Sequence, residues 1–131
     1  MLPDSLSPQR TALVVDDDEL VLAVTVALLQ DLGFEAIAES SPEQALSRVR
    51  KEEGFDLLLT DWVMPGVTGV ELIKVARQER PELSVILASG YQFDREQIGD
   101  RVVFLQKPYG KLDLIRAIGD SMVQAMGQCA P

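Results

Sequence analysis

The sequence predicts an α/β fold, a doubly wound five-stranded parallel sheet covered by five helices, and three observations predict it. Short strand-like runs recur five times, four of them rich in Val, Leu and Ile and of a length that suits a strand buried on both faces. Segments with helical spacing or helix-capping residues separate them, as crossovers between parallel strands require. The 131 residues are 47% hydrophobic and 25% charged, which suits one domain with a real core.

Residues 1–10 hold two prolines, two serines and no periodicity, and are expected to form a flexible leader. The folded domain is expected over residues 11–127, followed by a tail at 128–131. The run "TALVV" (Thr11 to Val15) reads as the first strand and ends at acids. Helical spacing follows from Glu19 to Leu32, with Gly33 as a stop. "EAIAES" (Glu35 to Ser40) is a short second strand. Ser41 is an N-cap candidate for the second helix, with Pro42 at the first helical position and Gln44 completing a capping box. That helix is expected to end near Glu53, before Gly54.

"FDLLLT" is the third strand, and "TGVELIKVARQER" a helix stopped by Pro81. "LSVILAS" is the fourth strand. "YQFDREQIG" (Tyr91 to Gly99) reads as a short, weak helix. "RVVFLQ" is the fifth strand, and "GKLDLIRAIGDSMVQAM" a closing helix whose apolar stripe reads as Leu112, Ile115, Ile118 and Met122.

The composition excludes several function classes. Acids outnumber bases 21 to 12, for a net charge of −9. That disfavours nucleic-acid binding by this chain alone, which needs clustered Lys and Arg, and it suits a cation site or basic partners. The absence of histidine removes histidine-based catalysis, histidine metal sites and histidine phosphodonors within this sequence. The single cysteine, Cys129, cannot form an internal disulfide. The N-terminus has no basic start and no apolar core of a signal peptide, and the longest apolar stretch, Leu20 to Leu29, is too short to span a bilayer. A soluble, cytoplasmic protein without membrane contact is the expectation.

In an open parallel sheet the working site lies at the carboxyl ends of the strands. Strand one ends in Asp16-Asp17-Asp18, strand three in Asp61, strand four in Ser89-Gly90 and strand five in Gln106-Lys107-Pro108. Acids this close repel and raise one another's pKa, and stay ionised only around a cation. A hard divalent ion with oxygen ligands fits, Mg²⁺ above all, since it binds through few carboxylates and leaves positions for phosphate oxygens. A lysine and a hydroxyl beside it would take the other phosphate oxygens. Asp61 is then the natural nucleophile, because aspartate can form an acyl phosphate. Taken singly, each residue has a plainer role. Asp18 and Glu19 suit a helix N-terminus, where negative charge favours the dipole; Lys107 alone would be a surface lysine and Ser89 a turn serine. The combination on four strand ends carries the specificity.

"LVVDDDE", "LLLTDWVMPGVTG", "VILASGY" and "VVFLQKPYG" resemble the four signature segments of the receiver domain of two-component response regulators, over about Thr11 to Met126. The resemblance implies the flavodoxin-like receiver fold with strand order 2-1-3-4-5. It implies that Asp16 and Asp17 help hold Mg²⁺, that Asp61 accepts the phosphoryl group, and that Val63 offers the metal its backbone carbonyl. It implies that Ser89 contacts the phosphoryl group and moves on activation, that Lys107 pairs with the phosphoryl oxygens, and that the bond to Pro108 is cis. Phe104 takes the position of the switch aromatic. The implied partners are a sensor histidine kinase or a histidine phosphotransfer domain as donor, and a downstream protein or a covalently linked domain as output, as in receivers of hybrid kinases. The implied protein is a phosphoacceptor that catalyses only its own phosphorylation and dephosphorylation, not an enzyme acting on other substrates.

Two positions depart from the pattern. Thr68 stands where an acid usually precedes the glycine, and can still cap the third helix. Val63 and Tyr91 are bulky and partly apolar, and are expected to shield the acyl phosphate from water. The first helix is unusually apolar, with Leu20, Val21, Leu22, Val24, Val26, Leu28 and Leu29. Burial against the sheet explains such a helix; an exposed apolar patch that docks the donor is the sharper alternative. Two rival functions remain. A haloacid-dehalogenase-type phosphatase would use Asp16 as nucleophile and Asp18 as general acid, leaving Asp61 unexplained. A degenerate receiver would act only as a binding module.

Overall fold

The structure, a computed structural model, describes residues 10–51, 54–90 and 101–128. Its strands are β1 (Thr11–Val15), β2 (Glu35–Glu39), β3 (Leu57–Asp61), β4 (Ser84–Ser89) and β5 (Val103–Gln106). All neighbouring pairs are parallel, in the order β2-β1-β3-β4-β5. Among the described residues the helices are α1 (Glu19–Asp31), α2 (Pro42–Arg50), α3 (Gly69–Glu79) and α4 (Lys111–Gln128). The weak helix expected over residues 91–99 lies outside the described residues, as do residues 1–9 of the leader and 129–131 of the tail.

Helices α1, α2 and α3 each start where a polar side chain takes free N–H groups of the first turn. Asp18 accepts from the N–H groups of Leu20 and Val21, at 3.0 and 3.3 Å. The Ser41 hydroxyl accepts from Gln44 N–H at 3.3 Å, with Pro42 in the first turn. Thr68 accepts from Glu71 N–H at 3.2 Å, so the threonine that replaces an acid does cap α3. Gly33, at φ +95°, turns the chain out of α1 in a conformation that side chains disfavour.

Alternation along the strands sorts the core into two layers. Ala12, Val14, Leu57, Leu59, Ile86, Ala88, Val103 and Leu105 face Leu22 and Leu29 of α1 and Leu114, Ala117 and Ile118 of α4. Leu13, Val15, Leu58, Val85 and Leu87 face Ala45 and Val49 of α2 and Leu72, Ile73 and Ala76 of α3. Strands β1, β3 and β4 are buried on both faces, as their unbroken apolar runs require. At the sheet edge, β2 buries Glu39 against Arg48 of α2 in an ion pair of 2.9 Å.

Two sequence expectations need correction. The inward stripe of α4 is Leu114, Ala117, Ile118 and Ser121, whereas Leu112 and Ile115 are 77% and 42% exposed. Two apolar stripes overlap on this helix, and the sheet selects the one that meets β4 and β5. Helix α1 is not wholly buried either. Leu22, Thr25 and Leu29 face inward, while Leu20 and Val24 are 75% and 52% exposed.

Candidate functional site

The alternation that sorts the core also aims the polar strand ends. Val14, Leu59 and Leu105 lie on the α1 side of the sheet. Two residues further along each chain stand Asp16, Asp61 and Lys107, and period two sends all three to that same side. They meet there. Lys107 Nζ donates to Asp16 Oδ2 at 2.7 Å and lies 3.3 Å from Asp61 Oδ1. Asp16, Asp17 and Asp61 each offer a carboxylate oxygen, with all three oxygens within 4.8 Å of one another. Asp16 and Asp61 are buried and Asp17 is exposed, so the cluster opens to solvent on one side.

Backbone groups hold the two buried acids in place. Asp18 N–H donates to Asp16 Oδ1 at 2.9 Å, and Trp62 N–H donates to Asp61 Oδ1 at 3.0 Å. Both close contacts of Asp61 fall on Oδ1, and among the described residues no hydrogen bond reaches Oδ2. Burial pushes the Asp61 carboxyl above its ordinary value; Lys107 pulls it down, and Asp16 and Asp17 push it up again. Burial pulls the Lys107 ammonium down, but its hydrogen bond to Asp16 and the charges of Asp16 and Asp61 outweigh this and leave it raised. A lysine held charged between two acids, with a third acid alongside, leaves an excess of negative charge. Such an oxygen-lined, partly open site suits a small divalent cation.

The other predicted residues take distinct places. Ser89 is buried at the end of β4, one step beyond Ala88, which pairs with Asp61. Its carbonyl accepts from Lys107 N–H at 2.8 Å and extends the sheet to the lysine. The Lys107–Pro108 bond is cis, as the resemblance implies. Val63 is 61% exposed in the turn after Asp61. Phe104 points to the opposite side of the sheet, half-buried against the α2–α3 layer, away from the carboxylates. Tyr91 lies outside the described residues. Asp18 spends its Oδ1 on capping α1, which is the plainer of its two readings and leaves it poorly suited as a general acid.

Two residues of this region lie within the signature-like segments but receive no role from the resemblance. Gly69 opens α3 so close to the acceptor that a Cβ there would lie 2.3 Å from the Asp61 carbonyl oxygen and 2.9 Å from Leu87 Cδ1. Its N–H also donates to Trp62 O at 3.0 Å, closing the turn that follows Asp61. Tyr109 reaches the buried Thr25 of α1, with the two hydroxyl oxygens 2.5 Å apart. The glycine carried a faint signal, since it directly follows the capping residue; the tyrosine–threonine pair, 84 residues apart, carried none.

Residues 12–119 match the family model described as the response regulator receiver domain. The chemotaxis protein CheY of Pseudomonas aeruginosa is 36% identical over 87 residues, 66% of this chain and 70% of that protein. A two-component response regulator of Arabidopsis thaliana is 33% identical over 107 residues, and there the chain spans only 18% of the plant protein. Among solved structures, a response regulator receiver protein from Sinorhizobium medicae superposes with a TM-score of 0.84 at 25% identity, covering 90% of this chain and 98% of that one. The receiver domain of the hybrid histidine kinase CckA superposes with a TM-score of 0.73 at 31% identity, covering 86% and 98%.

Proposed function

The chain belongs to the response regulator receiver family, the phosphoacceptors of two-component signalling, and from that premise we propose that Asp61 is the residue that takes the phosphoryl group. The observation that carries this is the meeting of Asp16, Asp17, Asp61 and Lys107 at one end of the sheet, with Lys107 within 3.3 Å of Asp61. Asp61 Oδ2 has no hydrogen-bond donor among the described residues and can attack phosphorus. The new bond joins Oδ2 to phosphorus; the bond that breaks joins phosphorus to a histidine nitrogen of the donor, whose imidazole leaves with the electron pair and takes up a proton. The donor histidine belongs to a sensor kinase or a phosphotransfer domain, since this sequence contains none.

Lys107 supplies fixed positive charge where negative charge gathers on the phosphoryl oxygens. It is already partly desolvated and oriented by Asp16 and Asp61, so little rearrangement is needed. Asp16, Asp17 and Asp61, with the Val63 carbonyl, are the residues that would hold Mg²⁺. That ion, when bound, offsets charge on the carboxylates and the phosphoryl group. Ser89 moves toward the phosphoryl group after transfer, and Phe104 changes its packing on the far side of the sheet. The output is a biased surface read by a downstream protein or a covalently linked domain.

The donor's approach has a natural track. Leu20, Val21, Val24 and Thr25 of α1, with Pro108 and Tyr109, line a groove of about 480 Å³ that reaches Lys107. Its apolar lining beside the acceptor suits the apolar face of a donor helix. A cytoplasmic setting agrees with such a partner, and no helix among the described residues is long and apolar enough to cross a membrane.

The phosphatase alternative is disfavoured by contacts at both of its required acids. Asp16 is held by Lys107 and Asp18 N–H, and Asp18 caps a helix. The test is intact mass after incubation with Mg²⁺ and acetyl phosphate. A gain of about 80 Da, the mass of an acyl-phosphate adduct, is expected in the wild type and absent in Asp61→Asn. No adduct on the wild type would overturn the reading, and steady turnover of a phosphomonoester without an adduct would favour the phosphatase.

A further inference from the structure

Lys107 serves two acids at once, and a long flexible side chain does so reliably only if its backbone is held. One anchor is the sheet, through Lys107 N–H to Ser89 O at 2.8 Å. The chain then leaves β5 through Pro108 and Tyr109 into α4, and a strand end leading into a loop is otherwise free to pivot.

Tyr109 supplies a second anchor on a different element. Its hydroxyl meets Thr25 Oγ1 at 2.5 Å, and its ring packs against the α1–α4 layer of the core. Thr25 is 1% exposed and sits on the sheet-facing side of α1 beside Leu22 and Leu29. A hydroxyl buried there needs a partner, because leaving it unsatisfied is costly. Tyr109 is that partner. The bond therefore joins the helix that follows Asp16-Asp17 to the loop that carries Lys107. Between them Pro108 removes one torsional freedom.

Resting on the phosphoacceptor reading, we propose that Tyr109 and Thr25 form a positioning latch that fixes Lys107 between Asp16 and Asp61. Among the described residues the Tyr109 hydroxyl bonds to Thr25 and not to the carboxylates; it acts through the lysine.

Two readouts test this, the first without any metal. In metal-free protein, ¹⁵N relaxation of Lys107 Nζ is expected to report a rigid ammonium in the wild type and a mobile one in Tyr109→Phe. That variant keeps the ring and loses only the hydroxyl. The second readout is the rate of phosphorylation by acetyl phosphate with saturating Mg²⁺, timed by intact mass. Tyr109→Phe is expected to slow it about tenfold, as misplacement of a charge-stabilising group does. In a Lys107→Ala background the same change is expected to alter the rate by less than about twofold, since residues acting as one unit do not add.

A merely structural role is separated by Thr25→Val/Tyr109→Phe. Removing both hydroxyls leaves no unsatisfied group, so the urea midpoint should recover toward wild type while phosphorylation stays slow. Recovery of the rate together with the midpoint would overturn the latch. So would an unchanged Nζ signal in Tyr109→Phe, or a full effect of that change without Lys107. A wild type that gains no phosphoryl group would instead sink the phosphoacceptor reading itself, and the latch with it.

Discussion

The two ends of β3 obey opposite physics. Leu57, Leu58 and Leu59 are at most 2% exposed, and each packs into one of the two apolar layers. Two residues later Asp61 is still largely buried, at 9% exposed, yet it faces two more carboxylates and one lysine. The interior end lowers the free energy of the fold by removing apolar surface from water. The rim end raises it by crowding like charge in a partly desolvated place. Buried position alone therefore says little about whether a residue stabilises; its neighbours decide.

The sharpest break of this comparison sets an interior residue against the rim. Leu59→Ala is expected to lower unfolding free energy by about 3 kcal/mol, the usual sum of lost transfer energy and a residual cavity. Urea denaturation measures it. While the protein remains folded, the phosphoryl adduct should still form, because Leu59 supplies packing and not chemistry.

Where the two regions touch, Gly69→Ala is expected to cost about 2 kcal/mol, as overpacking against rigid backbone does. The new Cβ would push the Asp61 carbonyl and so disturb acceptor geometry as well as stability. Both the urea midpoint and the phosphorylation rate should fall. A loss of stability with an unchanged rate would show that the rim tolerates backbone shifts.

At the rim the sign reverses. In Mg²⁺-free buffer, Asp61→Asn is expected to gain about 1 kcal/mol by relieving repulsion with Asp16 and Asp17; with Mg²⁺ and acetyl phosphate it is expected to form no adduct. Lower stability than wild type would mean that the pairing of Asp61 with Lys107 outweighs the repulsion.

The smallest effect is a pH dependence at the hinge of the rim. Burial pushes the Tyr109 phenol above its ordinary value, its hydrogen bond with Thr25 working against that. A raised folded pKa means that the neutral phenol contributes stability that is complete below the unfolded value of about 10. That contribution is lost as pH rises through the folded pKa. The difference in urea midpoint between wild type and Tyr109→Phe should thus shrink from pH 9 to pH 11, by under about 1 kcal/mol in free energy. Groups that do not act on Tyr109 cancel between the two proteins; Lys107 does act on the phenol and opposes its upward shift, so the same comparison in a Lys107→Ala background isolates the phenol's own share.

Much of this was legible along the chain. Unbroken apolar runs located β1, β3, β4 and β5, and the acids, hydroxyl and lysine that end them marked the rim. Ser41, Pro42 and Thr68 announced their helix starts, because capping is decided within one turn of chain. The α4 stripe was not legible. Leu112–Ile115 and Leu114–Ala117–Ile118 are both acceptable helical faces, and only contact with the sheet chooses between them. The division of α1 into a buried side and an exposed Leu20–Val24 side was equally hidden, since apolar residues run around the whole helix.

What the amino-acid order determined by itself is everything of short range: which segments are strands, where helices begin, and which charged residues leave the strand ends. Strand alternation is local too, so the common side of Asp16, Asp61 and Lys107 was implicit in their spacing from Val14, Leu59 and Leu105. Only the tertiary structure decided the rest: that Lys107 lies 2.7 Å from Asp16, that Gly69 presses on the Asp61 carbonyl, and that Tyr109 finds Thr25. These contacts depend on strand order and on the rotation of packed helices. Both are set by the burial of whole faces, a sum over many residues that no single stretch of sequence contains.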